Sequence, residues 1–279
     1  MRITLAKTAG FCFGVDRAVN MAYEIADKGI DAATLGQLIH NTYVTNRLAE
    51  RGVGIIDSPS QSHEGQTVII RAHGVSESVY DELINVGAVI CDATCPFVKK
   101  IHNIVEENSS EDIPVMVAGD PNHPEVMGIT GHCKGEVFVF NSAEELQKIL
   151  SENKELCQKR TIIVSQTTFS QNIWKICKEK IKIDCTNAKI FDTICFATRK
   201  RQDEAEELSR KSNLMIIIGG RHSSNTVKLK SVCEKNCETY LVERAEELKT
   251  INFSQCAEIG VTAGASTPSA IIKEVLLAM

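Results

Sequence analysis

The chain has 279 residues, of which 43% are hydrophobic and 24% charged, and its formal net charge is −5 at pH 7. This composition is typical of a packed globular protein, and the lack of a basic tract argues against nucleic acid as the main partner. No apolar stretch reaches the roughly 20 residues of a membrane span, and the first residues lack a signal-peptide pattern. We therefore expect a cytoplasmic protein.

The cysteine content is high, with eleven residues spread along the chain. An odd number without a secretion signal does not suit a disulfide framework, so metal binding or catalysis is the expected use. The pairs Cys91/Cys95 and Cys233/Cys237 lack the doublet spacing of a structural zinc site. Most of the other cysteines are expected to be small buried apolar residues.

Predicted helices and strands alternate along the chain and fall into three groups. After the strand RITLA, the first group starts at Cys12 with a helix whose apolar residues recur at helical spacing. The second starts at Cys95 with a similar helix, and the third at Cys195 with a polar helix, RKRQDEAEELSR, that we expect to be exposed. The strands that follow are continuous apolar runs, which suit parallel strands buried on both faces. They are AATL, GVGII, VIIR and AVIC, then IPVMVA, EVFVF, TIIVS and AKIF, then NLMIII, TYLV and EIGVT.

Three polar turns recur in the same order in each group, which indicates an internal repeat. The cysteine turns hold Cys12, Cys95 and Cys195. The second turns follow 28 residues later (12 to 40, 95 to 123, 195 to 223), and they hold His40, His123 and Ser223. The third turns hold His73, Thr167 and Ser266.

The repeat predicts an α/β fold of three similar parallel-sheet domains, arranged with pseudo-threefold symmetry around a central iron–sulfur cavity. We expect repeats at 12–94, 95–194 and 195–279. The third group has one strand fewer than the others, so the N-terminal strand in residues 1–11 is expected to complete its sheet. Right-handed crossovers place the turns at the carboxyl ends of the strands, where ligands of α/β sheets bind.

One thiolate from each repeat would give an iron–sulfur cluster three ligands and leave one iron open. The alternative is three ordinary buried cysteines at strand ends. The run from His222 to Thr226 precedes a helix, so it is either a simple N-cap or an anion site. With His40, His73, His123 and Ser266 it would form a polar ring suited to phosphate, unless the histidines are metal ligands.

Two further residues carry possible chemistry. Glu125 begins a helix, where it could simply complement the helix dipole. Beside an open iron it could instead deliver protons, provided that it lies within hydrogen-bond reach of the leaving oxygen. The Thr167 hydroxyl could hold an alcohol.

The motifs AGFCFGVDRAV, LGQLIHN, RAHGV, DATCPFV, GDPNHPEVMGITGH, SQTT, DTICFATRKRQ, GGRHSSNT and VTAGASTP span nearly the whole chain. Together they resemble the LytB family of 4-hydroxy-3-methylbut-2-enyl diphosphate reductases. The resemblance implies three α/β domains around a central cavity. It also implies the last step of the methylerythritol phosphate route, in which the hydroxyl of (E)-4-hydroxy-3-methylbut-2-enyl diphosphate is removed reductively. The products would be isopentenyl diphosphate and dimethylallyl diphosphate.

The resemblance also implies roles for single residues. The three cysteines would bind a [4Fe-4S] cluster whose fourth iron takes the allylic hydroxyl. Glu125 would donate the proton, assisted by His123 and Thr167. Reduced ferredoxin or flavodoxin would supply the electrons, and we expect a monomer. The residues implied for the diphosphate and the alcohol are His40, His73, His123, Thr167, Ser223, Ser224, Asn225 and Ser266.

One departure from the family pattern is His222, which stands where many members carry asparagine. It would either add a donor near the diphosphate or point to solvent. Two other functions stay open on the residues alone. One is a non-redox iron–sulfur dehydratase or a quinolinate-synthase-like enzyme, and the other is an iron–sulfur redox sensor.

Overall fold

The computed structural model describes residues 1–254 and 256–279. The strands are β1 Arg2–Leu5, β2 Ala32–Leu35, β3 Gly54–Ile56, β4 Thr67–Ile70, β5 Val89–Asp92, β6 Val115–Ala118, β7 Val137–Phe140, β8 Thr161–Ser165, β9 Ala188–Ile190, β10 Leu214–Ile218, β11 Glu238–Val242 and β12 Glu258–Ala263. The helices are α1 Phe13–Asp27, α2 Thr42–Ala49, α3 Glu77–Val86, α4 Pro96–Asn108, α5 Pro124–Thr130, α6 Ala143–Glu152, α7 Gln171–Asp184, α8 Phe196–Ser209, α9 Ser224–Cys233 and α10 Ser269–Leu277. Short 3₁₀ helices cover Pro59–Gln61, Lys154–Cys157 and Ala245–Thr250.

The strands form three parallel sheets of four strands each. Their orders are β3-β2-β4-β5, β7-β6-β8-β9 and β11-β10-β12-β1, so the same topology is used three times. In the third sheet the N-terminal strand β1 takes the edge position held by β5 and β9 in the others. It pairs in parallel with β12, with Ile3 opposite Ile259. The predicted α/β class with three parallel-sheet repeats is confirmed, whereas the exact repeat limits at 94/95 and 194/195 stay a prediction.

The central strands are buried on both faces, as their continuous apolar sequences predict. All four residues of β6 and the run Met215–Ile218 of β10 have no exposed surface. Each sheet has helices on both faces and therefore two apolar clusters, as around β6 and β8, where Met116 and Ile163 belong to one cluster and Val117 and Val164 to the other. Packing in these cores fixes the positions of the strand ends. It therefore also fixes the positions of the turns that follow the strands.

The polar helix α8 is not exposed along its length, so this expectation was wrong. It buries Arg201 and Gln202, which are 3% and 4% exposed. Hydrogen bonds to main-chain carbonyls offset the cost of burying these polar side chains. Gln202 donates to Phe169 O (3.1 Å), and Arg201 donates to Gly10 O (2.8 Å). A hydrophobicity pattern cannot reveal burial that is compensated in this way, since the partners lie far away in the sequence.

Within the described residues, no helix combines the length and the apolar character that crossing a bilayer would require.

Candidate active site at the junction of the three repeats

The three cysteine turns occupy equivalent places, each as the N-cap of a helix. The main-chain N–H of each cysteine donates to a carbonyl in the third turn at the end of the neighbouring strand of the same sheet, and the helix that begins at each cysteine packs on the next sheet. These hydrogen bonds run from Cys12 to Ala265 (3.4 Å), from Cys95 to Ala72 (3.0 Å) and from Cys195 to Thr167 (3.1 Å).

All three thiols are free, and all three line one central cavity of about 110 Å³. Gly14 in the first turn of α1 allows the closest approach, because a Cβ at this position would collide with the Cys95 sulfur. Burial raises the pKa of Cys95 to about 11 and also raises the pKa of Cys195. Helix N-termini favour thiolates, but here burial outweighs them, so the thiols of Cys95 and Cys195 stay protonated unless a cation neutralises them. Three sulfur donors around one cavity suit a thiophilic metal centre such as an iron–sulfur cluster.

Three histidines form the next layer of the same cavity. Their ring centroids are separated by 4.7 Å (His40 to His73), 5.2 Å (His73 to His123) and 5.5 Å (His40 to His123). Burial lowers the pKa of all three, to about 4 for His123 and well below the usual value for His73. The rings are therefore neutral at pH 7. His40 Nε2 and His73 Nδ1 are buried and have no hydrogen-bond partner in the described structure, so they are free to bind a ligand.

The N-terminus of α9 completes the polar ring. Ser223 is its N-cap residue and receives a hydrogen bond from Ser266 Oγ (3.3 Å). The Ser224 hydroxyl lies 3.0 Å from the Thr168 hydroxyl. Asn225 is 4% exposed, and its Nδ2 finds no acceptor in the described part of the chain. A helix N-terminus with unpaired donors is a site for an anion.

Glu125 lies in the first turn of α5, also on the cavity wall. It is 2% exposed and accepts two hydrogen bonds from Thr167, one from N (2.6 Å) and one from Oγ1 (2.9 Å). Burial raises its pKa to about 7, although the hydrogen bonds from Thr167 oppose the shift. The carboxyl group is thus close to half protonated at neutral pH, as efficient proton transfer requires. His123 orients this turn, because its Nδ1 accepts from Glu125 N (3.1 Å).

The structure brings every predicted site residue to this one cavity, since the three cysteines, three histidines, Glu125, Thr167, Ser223, Ser224, Asn225 and Ser266 all line it. Thr168 was missed. It lies three residues after the end of β8, as His73 does after β4 and Ser266 after β12. Thr168, rather than Thr167, is therefore the structural equivalent of His73 and Ser266, and matched strand ends would have revealed it.

Two arginines at the site were also missed. Arg201 lines the cavity beside Cys12 and Cys195, and its Nε is buried and unpartnered in the described structure. Arg71 is half-buried, and its charge contributes to the lowered pKa of all three cavity histidines after the larger effect of burial. Neither guanidinium forms an ion pair with a carboxylate in the described part of the chain. Two arginines without an ion-pair partner in the described residues, beside one cavity, indicate that its ligands are anionic.

His222 does not line the central cavity. It is exposed in a second cleft of about 370 Å³, which shares His40 as a common wall residue. The solvent-facing interpretation of His222 therefore agrees with the structure. The alternative use of His40, His73 and His123 as metal ligands fits their spacing, because one nitrogen from each lies within 4.8 Å of the others. The charge of Arg71, which acts on all three rings, favours an anion there instead of a cation.

Comparison with known proteins identifies the family. The profile of the family described as LytB protein matches residues 3–279. The chain belongs to the LytB family. A relative from Thermoanaerobacter sp. (strain X514) is 46% identical over 99% of this chain and 96% of its own length, and one from Clostridioides difficile (strain 630) is 40% identical over 99% and 98%. Both are named 4-hydroxy-3-methylbut-2-enyl diphosphate reductase.

Solved structures of LytB-type reductases share the fold. The E-1-hydroxy-2-methyl-but-2-enyl-4-diphosphate reductase from Plasmodium falciparum is 26% identical, with a TM-score of 0.89 over 99% of this chain and 86% of its own. A second structure, described as (E)-4-hydroxy-3-methyl-but-2-enyl diphosphate reductase, the terminal enzyme of the non-mevalonate pathway, is 36% identical. Its TM-score is 0.70 over 100% of this chain and 99% of its own.

The ligand role of the thiols is tested by loading variants with iron and sulfide under anaerobic conditions. We expect Cys95→Ser to lose most of its bound iron, because serine removes one of three soft ligands at the cavity. The control Cys157→Ser should bind as much iron as the parent protein, since Cys157 lies outside the cavity. Equal iron loss in both variants, measured by iron and sulfide analysis, would contradict the assignment.

Proposed function

We propose that this LytB-family protein reductively removes the hydroxyl group of (E)-4-hydroxy-3-methylbut-2-enyl diphosphate, giving isopentenyl and dimethylallyl diphosphate. The observation that carries the proposal is one cavity lined by three convergent thiols, a neutral polar ring for an anion, and a buried carboxylic acid. The names of the full-length relatives support the same reaction. Overall, the substrate takes up two electrons and two protons, and one water molecule leaves.

The three cysteines would hold a [4Fe-4S] cluster, and their free thiols in one buried cavity fit such a group. When bound, the cluster supplies the electrons and a Lewis-acidic site for the hydroxyl group. The thiols lie beside Gly14 and Val15 on the cavity wall, whereas the polar ring lies on the second and third turns. A substrate with an apolar carbon chain between a hydroxyl and a diphosphate matches this division.

The diphosphate would be held by the second and third turns. Neutral histidines each donate one N–H, and the α9 N-terminus adds main-chain and hydroxyl donors. Three buried polar atoms that have no hydrogen-bond partner in the described structure would gain acceptors when the anion binds: His40 Nε2, His73 Nδ1 and Asn225 Nδ2. Binding thus removes the cost of burying polar groups without a hydrogen bond. Arg71 adds long-range attraction from behind the histidines. The set proposed to hold the diphosphate is His40, His73, His123, Ser223, Ser224, Asn225 and Ser266, joined by Thr168.

Glu125 would supply the proton that converts the leaving hydroxyl group to water. Its Oε2 accepts from Thr167 Oγ1 (2.9 Å), so the pair can act as one unit in which the Thr167 hydroxyl holds the alcohol or a water molecule. His123 fixes the start of α5 and so keeps Glu125 in place. The second proton is needed at carbon, where two positions give the two products.

Arg201 would balance the negative charge of the cysteine-bound cluster. Burying a guanidinium without an anion costs several kcal/mol, and its hydrogen bonds to Gly10 O and Ala263 O offset only part of that cost. The thiolates of Cys12 and Cys195 counteract the lowering of its pKa by burial. Arg201 thus acts through its charge and not by contact with substrate.

Further proposals follow from the function. Reduced ferredoxin or flavodoxin would supply the electrons, and the protein would act as a cytoplasmic monomer. The ring of hydrogen-bond donors suited to a diphosphate, together with the buried Glu125, argues against a quinolinate-synthase-like enzyme. The buried Glu125–Thr167 pair argues against a redox sensor, because sensing requires no proton donor.

The pH dependence of turnover tests Glu125. Because its pKa is about 7 and the protonated form is the active one, turnover should fall roughly tenfold per pH unit above neutrality. Thr167→Val removes a hydrogen bond that lowers this pKa. The falling limb of the pH profile of turnover should therefore move to higher pH. Glu125→Gln should retain the iron and lose about 10²-fold or more of turnover.

The control is Glu111→Gln, which changes an exposed glutamate of the same repeat and should leave the pH profile intact. Near-normal rates in Glu125→Gln, or an unmoved limb in Thr167→Val, would refute the role of Glu125 as the proton donor.

The reduction equilibrium of the bound cluster tests Arg201. Arg201→Met removes a positive charge and so should disfavour the reduced state by tenfold or more, which corresponds to about 59 mV for one electron. Arg201→Lys keeps the charge and should lie closer to the parent protein. Redox titration with equal midpoints for all three proteins would contradict the charge-balancing role.

A further inference from the structure

All exposed phenylalanines of the described chain lie next to the cysteine turns. Of nine phenylalanines, only Phe13, Phe97 and Phe196 are exposed, by 67%, 44% and 71%. They follow Cys12, Cys95 and Cys195 by one, two and one residues. Exposed aromatic side chains gathered at one place indicate a surface for a partner.

This surface forms the outer wall of the thiol end of the cavity. Phe13 and Phe97 line the cavity and are also open to solvent, and Phe196 is exposed between Cys195 and Ala197, which both line the cavity. None of the three belongs to the buried apolar clusters of the described residues. A redox partner seated here would therefore lie next to the cysteine turns, and electron transfer weakens steeply with distance.

Basic residues surround the three phenylalanines. A basic residue follows each cysteine by five positions, at Arg17, Lys100 and Lys200. At helical spacing this places it on the same face as the phenylalanine, one turn farther along. Lys100 and Lys200 are exposed, and neither joins an ion pair in the described structure. On a chain with a net charge of −5, this local excess of positive charge favours an acidic partner.

We propose that Phe13, Phe97 and Phe196, with Arg17, Lys100 and Lys200 at the rim, form the docking surface for a small acidic iron–sulfur electron carrier of the ferredoxin class. This inference rests on the proposed function and adds the place at which its electrons enter. Two reduced carriers bind in succession, each is oxidised by one electron, and the two electrons match the requirement of the reaction. A small apolar centre with a charged rim is typical of such short-lived electron-transfer complexes.

The apolar centre is tested by stopped-flow reduction of the iron-loaded protein under anaerobic conditions. Phe196→Ser should lower the second-order rate constant with a reduced acidic ferredoxin at least tenfold, while reduction by dithionite stays within twofold of the parent. The matched control Ile183→Ser changes a residue that is 79% exposed on α7 and should behave as the parent.

The rim is tested by charge reversal, with a control variant of the same net charge. Lys100→Glu/Lys200→Glu should slow reduction by ferredoxin tenfold or more at low salt and flatten its dependence on ionic strength. Lys134→Glu/Lys235→Glu carries the same total charge and should keep the salt dependence of the parent.

The outcomes separate the docking surface from the function. Rates with ferredoxin that stay within threefold of the parent in both Phe196→Ser and the Lys100/Lys200 variant would overturn the docking surface while leaving the function intact. The docking surface would also be overturned if flavodoxin, but not ferredoxin, reduces the parent protein. It would be overturned too if sedimentation experiments show that Phe196→Ser only dissociates a dimer of this chain. If the parent protein loads iron but turns over no substrate with dithionite, the proposed function fails instead.

Discussion

The three cysteine turns determine the geometry of the whole site. In each, a hydrogen bond from the cysteine amide holds the turn at the end of one sheet, and the helix that begins there packs on the next sheet. Because this arrangement occurs three times, it links the three sheets in a closed ring, and the thiols cannot move apart unless two sheets separate. The second and third turns follow the strands of the same sheets, so this ring also sets where the histidines and hydroxyls lie. One main-chain constraint, used three times, thereby positions both the thiol end and the anion end of the cavity.

The groups that line the cavity differ in their charge states, and each kind suits a different ligand. The histidines are neutral because burial lowers their pKa, whereas Glu125 holds a proton near pH 7 because burial raises its pKa. Burial thus has opposite effects on a base and an acid. It leaves the histidine rings neutral and the Glu125 carboxyl group close to half protonated, so both can change state when an anion or an alcohol enters. The permanent charge comes from Arg71 and Arg201, which lie behind the histidines and beside the thiols.

The sequence was sufficient to predict the fold, because continuous apolar strands and a constant offset between turns are local signals. The cysteines, His40, His123 and Ser223 follow from that offset alone. Thr168 was missed because the third turns lie at unequal distances from the cysteines, and only the strand ends define the register. Arg201 was missed because its burial is compensated by the distant carbonyls of Gly10 and Ala263, which a polar helix does not reveal. The pKa of Glu125 was likewise not predictable, because burial raises it and hydrogen bonds from Thr167, 42 residues away, lower it.

The central claim is that one cavity joins an electron-accepting thiol centre to an anion pocket and a proton donor. Its most direct test is turnover of (E)-4-hydroxy-3-methylbut-2-enyl diphosphate by protein loaded with iron and sulfide under anaerobic conditions and supplied with dithionite. We predict the formation of both isopentenyl and dimethylallyl diphosphate, with two electrons consumed per molecule of product. Protein with its full complement of iron that binds the substrate and leaves it unchanged would contradict the account.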